Sequence, residues 1–599
     1  MMDFRPIRDR ACIVCVQCHA RKVKCDLQAS PDKACSNCRR SSQACVQRNG
    51  VRKKRKGARK RAIVPTGQIP VFAEGDAENF GILSPTQSSD TAATLATAAS
   101  TRQPNCYIAN ESILSYDLPS EQEPSDVISS RVSIFESLLR DIQVTALPRP
   151  ALLGALKDAF IEHVAPFYPI LDIEDISSDD TPVMLQLATC LVGSLMRHDQ
   201  KELEFAASQY ERIKSLIYLG SKHDPLVLLK TCCLMACWSP NSTDVITLDG
   251  PWQWVGVAIR LAIQMGLHKQ ATYINNPKAS SFRRVFWHLV MTDKMMVACW
   301  GRPSMLRPDD FDTHPLTLND FPTQTYGHSS LFFLQGCKII DITGSIAELH
   351  LQKRNLLSEE IDMIVARLCD WQTNLPAGVQ LFNPGGSRHP FSRIASDVHI
   401  QYFGAIIMTD MLSQRHSTHW QPSASSLVAS LCIVSLYEEI LSREQAVYLL
   451  HYHGFYCMAA ALPLLFLPQR LVDKYSILCD IEILTSVLNC MSAKYGGAAF
   501  VLRKINQIRN YSESIEQPIR EGANLTTYHH LGSFLEKLFP FPTTFYKRMD
   551  ISDLNEPLSG EISQATPLGS NLTMFDMLGM DIGSFSFTDT TDFLVYDTT

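Results

Sequence analysis

Six cysteines near the start of the chain have the type and spacing to hold metal. Cys15, Cys18, Cys25, Cys35, Cys38 and Cys45 read C-x2-C-x6-C-x9-C-x2-C-x6-C, two copies of C-x2-C-x6-C. A C-x2-C pair places two thiolates on one ion without straining the backbone, and its repetition points to zinc. Structural zinc is tetrahedral, so two ions present eight ligand positions, which six thiolates fill only when two of them are shared. A binuclear cluster with a formal charge of −2 is therefore the economical reading. Two alternatives remain: one ion on four of the six thiols, or a disulfide framework. The x6 spacing in both halves weighs against the first, and the character of the whole chain against the second. Cys12 precedes Cys15 by an x2 gap, but using it as a ligand would break the x6 spacing, so it reads as a spare thiol.

Small cysteine modules bury too little apolar surface to fold without metal. Residues 12–46 are read as such a module. Residues 47–61 form a basic arm, and Arg52, Lys53, Lys54, Arg55 and Lys56 open a run with eight cations in ten positions. The net charge of −6 hides an asymmetry: residues 1–61 hold 18 Lys/Arg against 4 Asp/Glu, so the rest carries −20. A basic head on an acidic body suggests that the head meets a polyanion. Residues 62–126, rich in Ser, Thr, Ala, Gln and Pro, read as a flexible linker without a coiled-coil seam.

From residue 127 to 548 apolar residues recur at helical spacing, so this body is expected to be all-α. Twelve further cysteines are scattered, several in apolar helical contexts such as Cys232, Cys233 and Cys237. They read as reduced core cysteines of an intracellular protein. The first ten residues show no apolar signal region. The longest apolar run, Phe455–Pro468, falls short of the ~20 residues of a membrane span, so a buried helix is expected there and no membrane partner. Residues 549–599 hold nine acids and no cation, with Phe575, Phe585, Phe587 and Phe593 interspersed. This is expected to be a disordered acidic tail whose exposed aromatics serve as an activation segment.

The cysteine pattern resembles the fungal binuclear zinc-cluster transcription factors. The body resembles their middle homology region, in Gly256–His268, in Arg283–Leu289 with Asp293 and Gly301-Arg302-Pro303, and in a helix closing on Trp371 before Leu375-Pro376. The Gly301-Arg302-Pro303 region is similar to the cutinase and fatty-acid regulator subgroup. The family implies two zinc ions bridged by Cys15 and Cys35, and a first helix that reads a CGG triplet in the major groove. Lys22, and to a lesser degree Arg21, match the base-contacting positions; Arg and Lys suit guanine, whose O6 and N7 are adjacent acceptors. Lys24, Arg39 and Arg40 are placed for phosphates, and the arm adds salt-sensitive affinity or a nuclear import signal. His19 stands where the family has Arg or Lys.

In the body, Ala258, Ala262 and Gly266 read as a small-residue stripe, Trp287 and Trp300 as apolar anchors, and Arg302-Pro303 as a turn held by hydrogen bonds to carbonyls. No nucleotide-binding loop, nucleophile elbow or HExxH is present, and the pairs His416/His419 and His451/His453 have no acid in register, so no catalytic residue and no enzyme is expected. The leading expectation is a nuclear, sequence-specific activator of RNA polymerase II genes, controlling a metabolic or secondary-metabolite set. Double-stranded DNA and coactivators are its partners, with room for a small-molecule inducer, and it acts as a monomer or a homodimer without a coiled coil. The competing expectation is a zinc-dependent protein-interaction scaffold with no direct DNA readout.

Overall fold

The computed structural model describes residues 15–46 apart from 22, 24, 28–32 and 42; residues 106, 107 and 109; and residues 144–546 apart from 179, 198, 199, 220–222, 323–325, 353, 416–419, 468–476 and 515–533. The expected basic arm and acidic tail lie outside the described residues. The chain divides into two compact units, Met1–Ala98 and Ala99–Thr599.

The first unit is built on a displacement of 20 residues. Its helices α1 (Val16–Ala20) and α2 (Ser36–Arg40) occupy equivalent places in the two cysteine repeats. The bonds repeat with them: Val23 N–H to Cys18 O and Gln43 N–H to Cys38 O, Arg21 N–H to Gln17 O and Ser41 N–H to Asn37 O. The Val16 N–H donates to Val46 O at 2.9 Å and closes the module. Its buried centre is Cys15, Cys18, Cys25, Cys35 and Cys38 with Leu27 as the one other apolar residue among those described. Such a centre cannot supply a hydrophobic core, so the thiols must contribute through metal.

The second unit is helical. No strand occurs among the described residues, only isolated bridges between Ser239 and Tyr495 and between Phe382 and Arg388. Its first half runs α3 (Pro150–His163), α4 (Ile173–Ser177), α5 (Val183–Ser194), α6 (Gln200–Leu219), α7 (Pro225–Met235), α8 (Pro251–Gln264) and α9 (Ala279–Trp300). Then come α10 (Ser329–Leu351), α11 (Ser358–Thr373), α12 (Arg393–Ser413), α13 (Ala424–Leu441), α14 (His453–Leu465), α15 (Ile477–Ser492), α16 (Gly496–Ser514) and α17 (Leu535–Leu538). Their starts follow local chemistry. Asp224 accepts from the N–H groups of Leu226 and Val227 ahead of Pro225 at the first position of α7, and the Ser423 hydroxyl caps α13. These are groups that satisfy the orphan donors of a helix start.

One continuous core joins these helices. The apolar run near residue 460 forms α14, a buried helix with Pro463 inside it, as its length suggested. Among the described residues α13 alone is long and apolar enough to cross a membrane, but 72% of it is buried inside the fold. It packs against α12 and α14 as a core helix.

The stretches that resembled the middle homology region hold the unit together, partly in ways the sequence did not show. Arg284 is wholly buried. Its Nε donates to Pro169 O at 2.9 Å, and its guanidinium reaches Asp172 and the carbonyl of Asp320. Lys230 donates to Asp172 at 2.8 Å and to Asp175 at 2.5 Å, and the Ser281 hydroxyl to Asp172 at 2.6 Å. One acid thus ties α4, α7 and α9 together. Burial opposes its charge, but Lys230 and Arg284 prevail and hold the Asp172 carboxyl down at about 2. Asp293 accepts from Ser304 Oγ and from the N–H groups of Met305 and Leu306, fixing the loop after α9.

Two expectations about this unit are corrected, and one contact falls inside the expected linker. Gly266 is not part of a packing stripe with Ala258 and Ala262; at φ 75° it ends α8 in the left-handed region, where an added Cβ would meet Thr272 Oγ1 at 2.9 Å. Arg302 is held by aromatic faces, its guanidinium 4.9 Å from the Trp252 ring and 5.0 Å from the Trp300 ring. Tyr107, inside the stretch expected to be a flexible linker, donates its N–H to Gln264 O at 2.8 Å and meets His268 edge-on at 4.6 Å.

Candidate metal centre and nucleic-acid interface

The six thiols converge as two tetrads. Cys15, Cys18, Cys25 and Cys35 form one, Cys15, Cys35, Cys38 and Cys45 the other, and within each the sulfurs lie within 4.8 Å of one another. Cys15 and Cys35 belong to both, the pair implied as bridges. Their sulfurs are 3.7 Å apart; Cys15 lies 3.6 Å from Cys38 and Cys18 3.5 Å from Cys35. Two sulfurs on one tetrahedral zinc, each bonded at about 2.3 Å, stand about 3.8 Å apart. The distances therefore fit a shared metal and are far too long for disulfides, and every described cysteine is free. The donor set suits zinc: soft thiolates in tetrahedral groups.

Backbone N–H groups address the sulfurs in the same repeat. Cys18 N–H points to Cys15 Sγ at 3.3 Å and Cys38 N–H to Cys35 Sγ at 3.5 Å. Cys15 N–H points to Cys25 Sγ at 3.4 Å and Cys35 N–H to Cys45 Sγ at 3.3 Å. The Cys38 N–H, with the neighbouring thiols, pulls the Cys35 pKa down to about 6. At Cys15 burial acts against the thiolate, but the Cys18 N–H and the nearby thiols overcome it and the pKa falls. Burial pushes Cys18 up to about 12 and raises Cys38 as well. The two shared positions, Cys15 and Cys35, are thus lowered overall, whereas Cys18, Cys38 and Cys45 are raised.

Arg21, Arg39 and Arg40 are exposed on this module. Arg21 donates to Gln43 Oε1 at 2.8 Å, across from the other repeat, and Arg39 to Ala34 O at 3.0 Å. Lys22, Lys24, the arm residues Arg52 to Lys56 and the tail aromatics fall outside the described residues, as does Cys12. The repeat supplies a control for the cations. Twenty positions after Arg21, Lys22 and Lys24 stand Ser41, Ser42 and Ala44. The second half builds an equivalent thiol set with no cation there.

The sequence model of the fungal Zn(2)-Cys(6) binuclear cluster domain matches residues 13–55, and that of the fungal specific transcription factor domain matches residues 158–359. The chain thus carries both the zinc-cluster domain and the regulatory domain of fungal transcription factors. The first of these domains makes it a zinc-binding protein.

Relatives agree. The acetamidase regulatory protein of Aspergillus fumigatus is 26% identical over 351 residues, covering 54% of this chain and 43% of that protein. Cutinase transcription factor 1 beta of Fusarium vanettenii is 23% identical over 438 residues, 58% and 48% of the two chains. The fusaric acid cluster transcription factor of Gibberella moniliformis is 23% identical over 303 residues, 44% of each. The match spans less than half the length of these relatives. No solved structure matches. The domains and the relatives' names describe transcription regulators, not enzymes.

One side-chain pairing escaped the sequence reading of this zinc-cluster regulator. His453 has an acid partner after all: its Nε2 lies 3.0 Å from Asp397 Oδ2 in the core. Tyr452 donates to the same oxygen at 2.8 Å, Gln401 to Oδ1 at 2.7 Å, and the Tyr437 hydroxyl lies 3.0 Å from His453 Nδ1. Burial opposes the charge of Asp397, but His453 and the two donors hold its pKa low. The acid sits on another helix, 56 residues away, so spacing could not reveal it. His416 and His419 are outside the described residues.

Proposed function

We propose that this regulator is a sequence-specific DNA-binding activator whose cysteine module holds two zinc ions bridged by Cys15 and Cys35. The observation that carries the reading is the pair of tetrads sharing those two sulfurs, beside the exposed Arg21. Lys22 and Arg21 read a CGG-type site in the major groove, and Lys24, Arg39 and Arg40 bind phosphates. The cluster does not itself need the cations at 21, 22 and 24, since the second repeat manages with Ser41, Ser42 and Ala44. Cations beyond what the cluster requires are what a polyanionic partner would explain. The basic arm at 47–61 adds affinity without sequence information, and the nucleus is the site of action.

Residues 127–548 act as the regulatory body, 62–126 as linker and 549–599 as the activating tail, through coactivators that take up Phe575, Phe585, Phe587 and Phe593. The relatives' names support a metabolic or secondary-metabolite gene set. The test exchanges the repeats' residues: Arg21→Ser, Lys22→Ser and Lys24→Ala together. Zinc content should stay at two per chain while fluorescence anisotropy shows preference for a CGG duplex over a scrambled one lost. Unchanged preference refutes the assignment and favours a protein-interaction scaffold.

A further inference from the structure

The helical unit holds a cavity of about 150 Å³, half-open to the surface and walled mainly by α9, α10, α12, α14 and α16. At roughly 10–15 Å³ for each water-sized occupant, it has room for about ten non-hydrogen atoms. Its wall is mostly apolar and adaptable, with Met291, Met295 and Met296 facing Phe332 and Phe333. Gln401, His451 and Tyr495 are among the polar side chains that interrupt that wall.

Each of the three has a buried atom with no hydrogen-bond partner, namely Gln401 Oε1, His451 Nδ1 and the Tyr495 hydroxyl. Buried polar atoms are nearly always paired, so three orphans around one cavity call for an explanation. The Gln401 orientation is fixed, because its Nε2 donates to Asp397, which Tyr452 and His453 lock in turn. Its Oε1 is therefore an acceptor held ready. The Tyr495 hydroxyl can donate or accept.

The residues lining the cavity include no Lys, Arg, Asp or Glu. Burial lowers His288 to about 3 and His451 to about 4, so both rings are neutral near pH 7. A carboxylate or ammonium would enter this wall without a counter-charge, which is costly. An apolar body with one or two neutral hydrogen-bonding groups suits it.

We propose that this cavity binds a neutral, largely apolar small molecule of about ten non-hydrogen atoms carrying a hydroxyl or amide group that pairs with Tyr495 and Gln401. The inference does not rest on DNA binding, and its test involves no DNA. The zinc-loaded full chain is titrated with straight-chain primary alcohols, from 1-butanol to 1-dodecanol, by calorimetry. Binding should saturate at one site. Affinity should rise about fourfold per methylene, reach a maximum near nine to eleven non-hydrogen atoms (roughly, from the volume) and fall beyond it. Octanoate at pH 7.5 should bind at least tenfold more weakly than 1-octanol.

Gly336 faces the cavity with only Gln401 Oε1 and Val398 Cγ2 near an added Cβ, at 3.8 and 3.9 Å. Gly336→Leu should therefore fill the space and remove binding without lowering the melting temperature. Tyr495→Phe should weaken 1-octanol about tenfold but leave 1-chlorooctane, which cannot donate, within twofold. No saturable binding by any alcohol overturns the site. So does affinity that climbs with chain length without a break and ignores Gly336→Leu. Octanoate binding as tightly as 1-octanol overturns the neutral-ligand assignment.

Discussion

Sharing two sulfurs between two ions has a quantitative consequence for cysteine substitutions. Structural zinc binds with roughly 10–16 kcal/mol of apparent free energy at four ligands, so one thiolate contributes about 3 kcal/mol, a factor of about 10² or more. Cys25 and Cys45 each serve one tetrad, whereas Cys15 and Cys35 serve both. Cys45→Ala leaves Cys15, Cys18, Cys25 and Cys35 intact, so one ion should remain tight and the other weaken about 10²-fold. Cys25→Ala should do the reverse. Cys15→Ala or Cys35→Ala lowers both sites to three ligands, for a combined loss of about 6 kcal/mol. Native mass spectrometry of the full chain against a zinc buffer reads this directly. At free zinc that just saturates the wild type, the counts should be two, then one for Cys25→Ala or Cys45→Ala, then none for Cys15→Ala or Cys35→Ala. A Cys15→Ala chain that keeps one tight ion refutes the bridging argument. A wild-type count of one, unchanged by Cys45→Ala, refutes the binuclear cluster itself.

Lys22→Ala should cost about 1–3 kcal/mol on a CGG-containing duplex and blur preference there, measured by competition binding. Neutralising Lys53, Lys54 and Arg55 should instead weaken binding to all sequences alike and flatten the salt slope, so a lost preference with an unchanged slope would contradict it. Asp172→Asn should destabilise the helical unit by about 2 kcal/mol at neutral pH, since its native pKa is held near 2 against an ordinary 3.8. Because that pKa is depressed, the gap between wild-type and variant urea midpoints should be full above about pH 5 and close as pH falls from about 4 towards 2; a gap that persists at pH 2 would exclude the charge. Deleting 549–599, or replacing Phe575, Phe585, Phe587 and Phe593 with Ala, should cut reporter transcription while zinc content and DNA affinity stay unchanged; a silent fusion of the tail to an unrelated DNA-binding domain would move activation elsewhere.

The metal centre was legible because its chemistry is local. Cysteine spacing limits which sulfurs can meet, the family resemblance supplied the shared pair, and the 20-residue repeat carries through to the hydrogen bonds. The all-α body was legible from periodicity, and the buried α14 from the length of its apolar run. What stayed hidden depends on residues far apart in sequence. Arg284 showed as part of a stretch, but not as the buried cation on Asp172, 112 positions earlier. Asp397 and His453 pair across two helices. Gly266 looked like one more small residue on a helix face, because spacing does not distinguish a packing residue from the left-handed one that ends the helix. The cavity has no linear signature at all, since five helices supply its wall.

Selection from a random duplex pool by the zinc-loaded full chain tests the central claim most directly. The account predicts enrichment of CGG triplets that disappears on chelation, returns with zinc, and is absent for the Arg21→Ser, Lys22→Ser, Lys24→Ala chain. Recovery of no sequence preference by a chain shown to carry two zinc ions would contradict it.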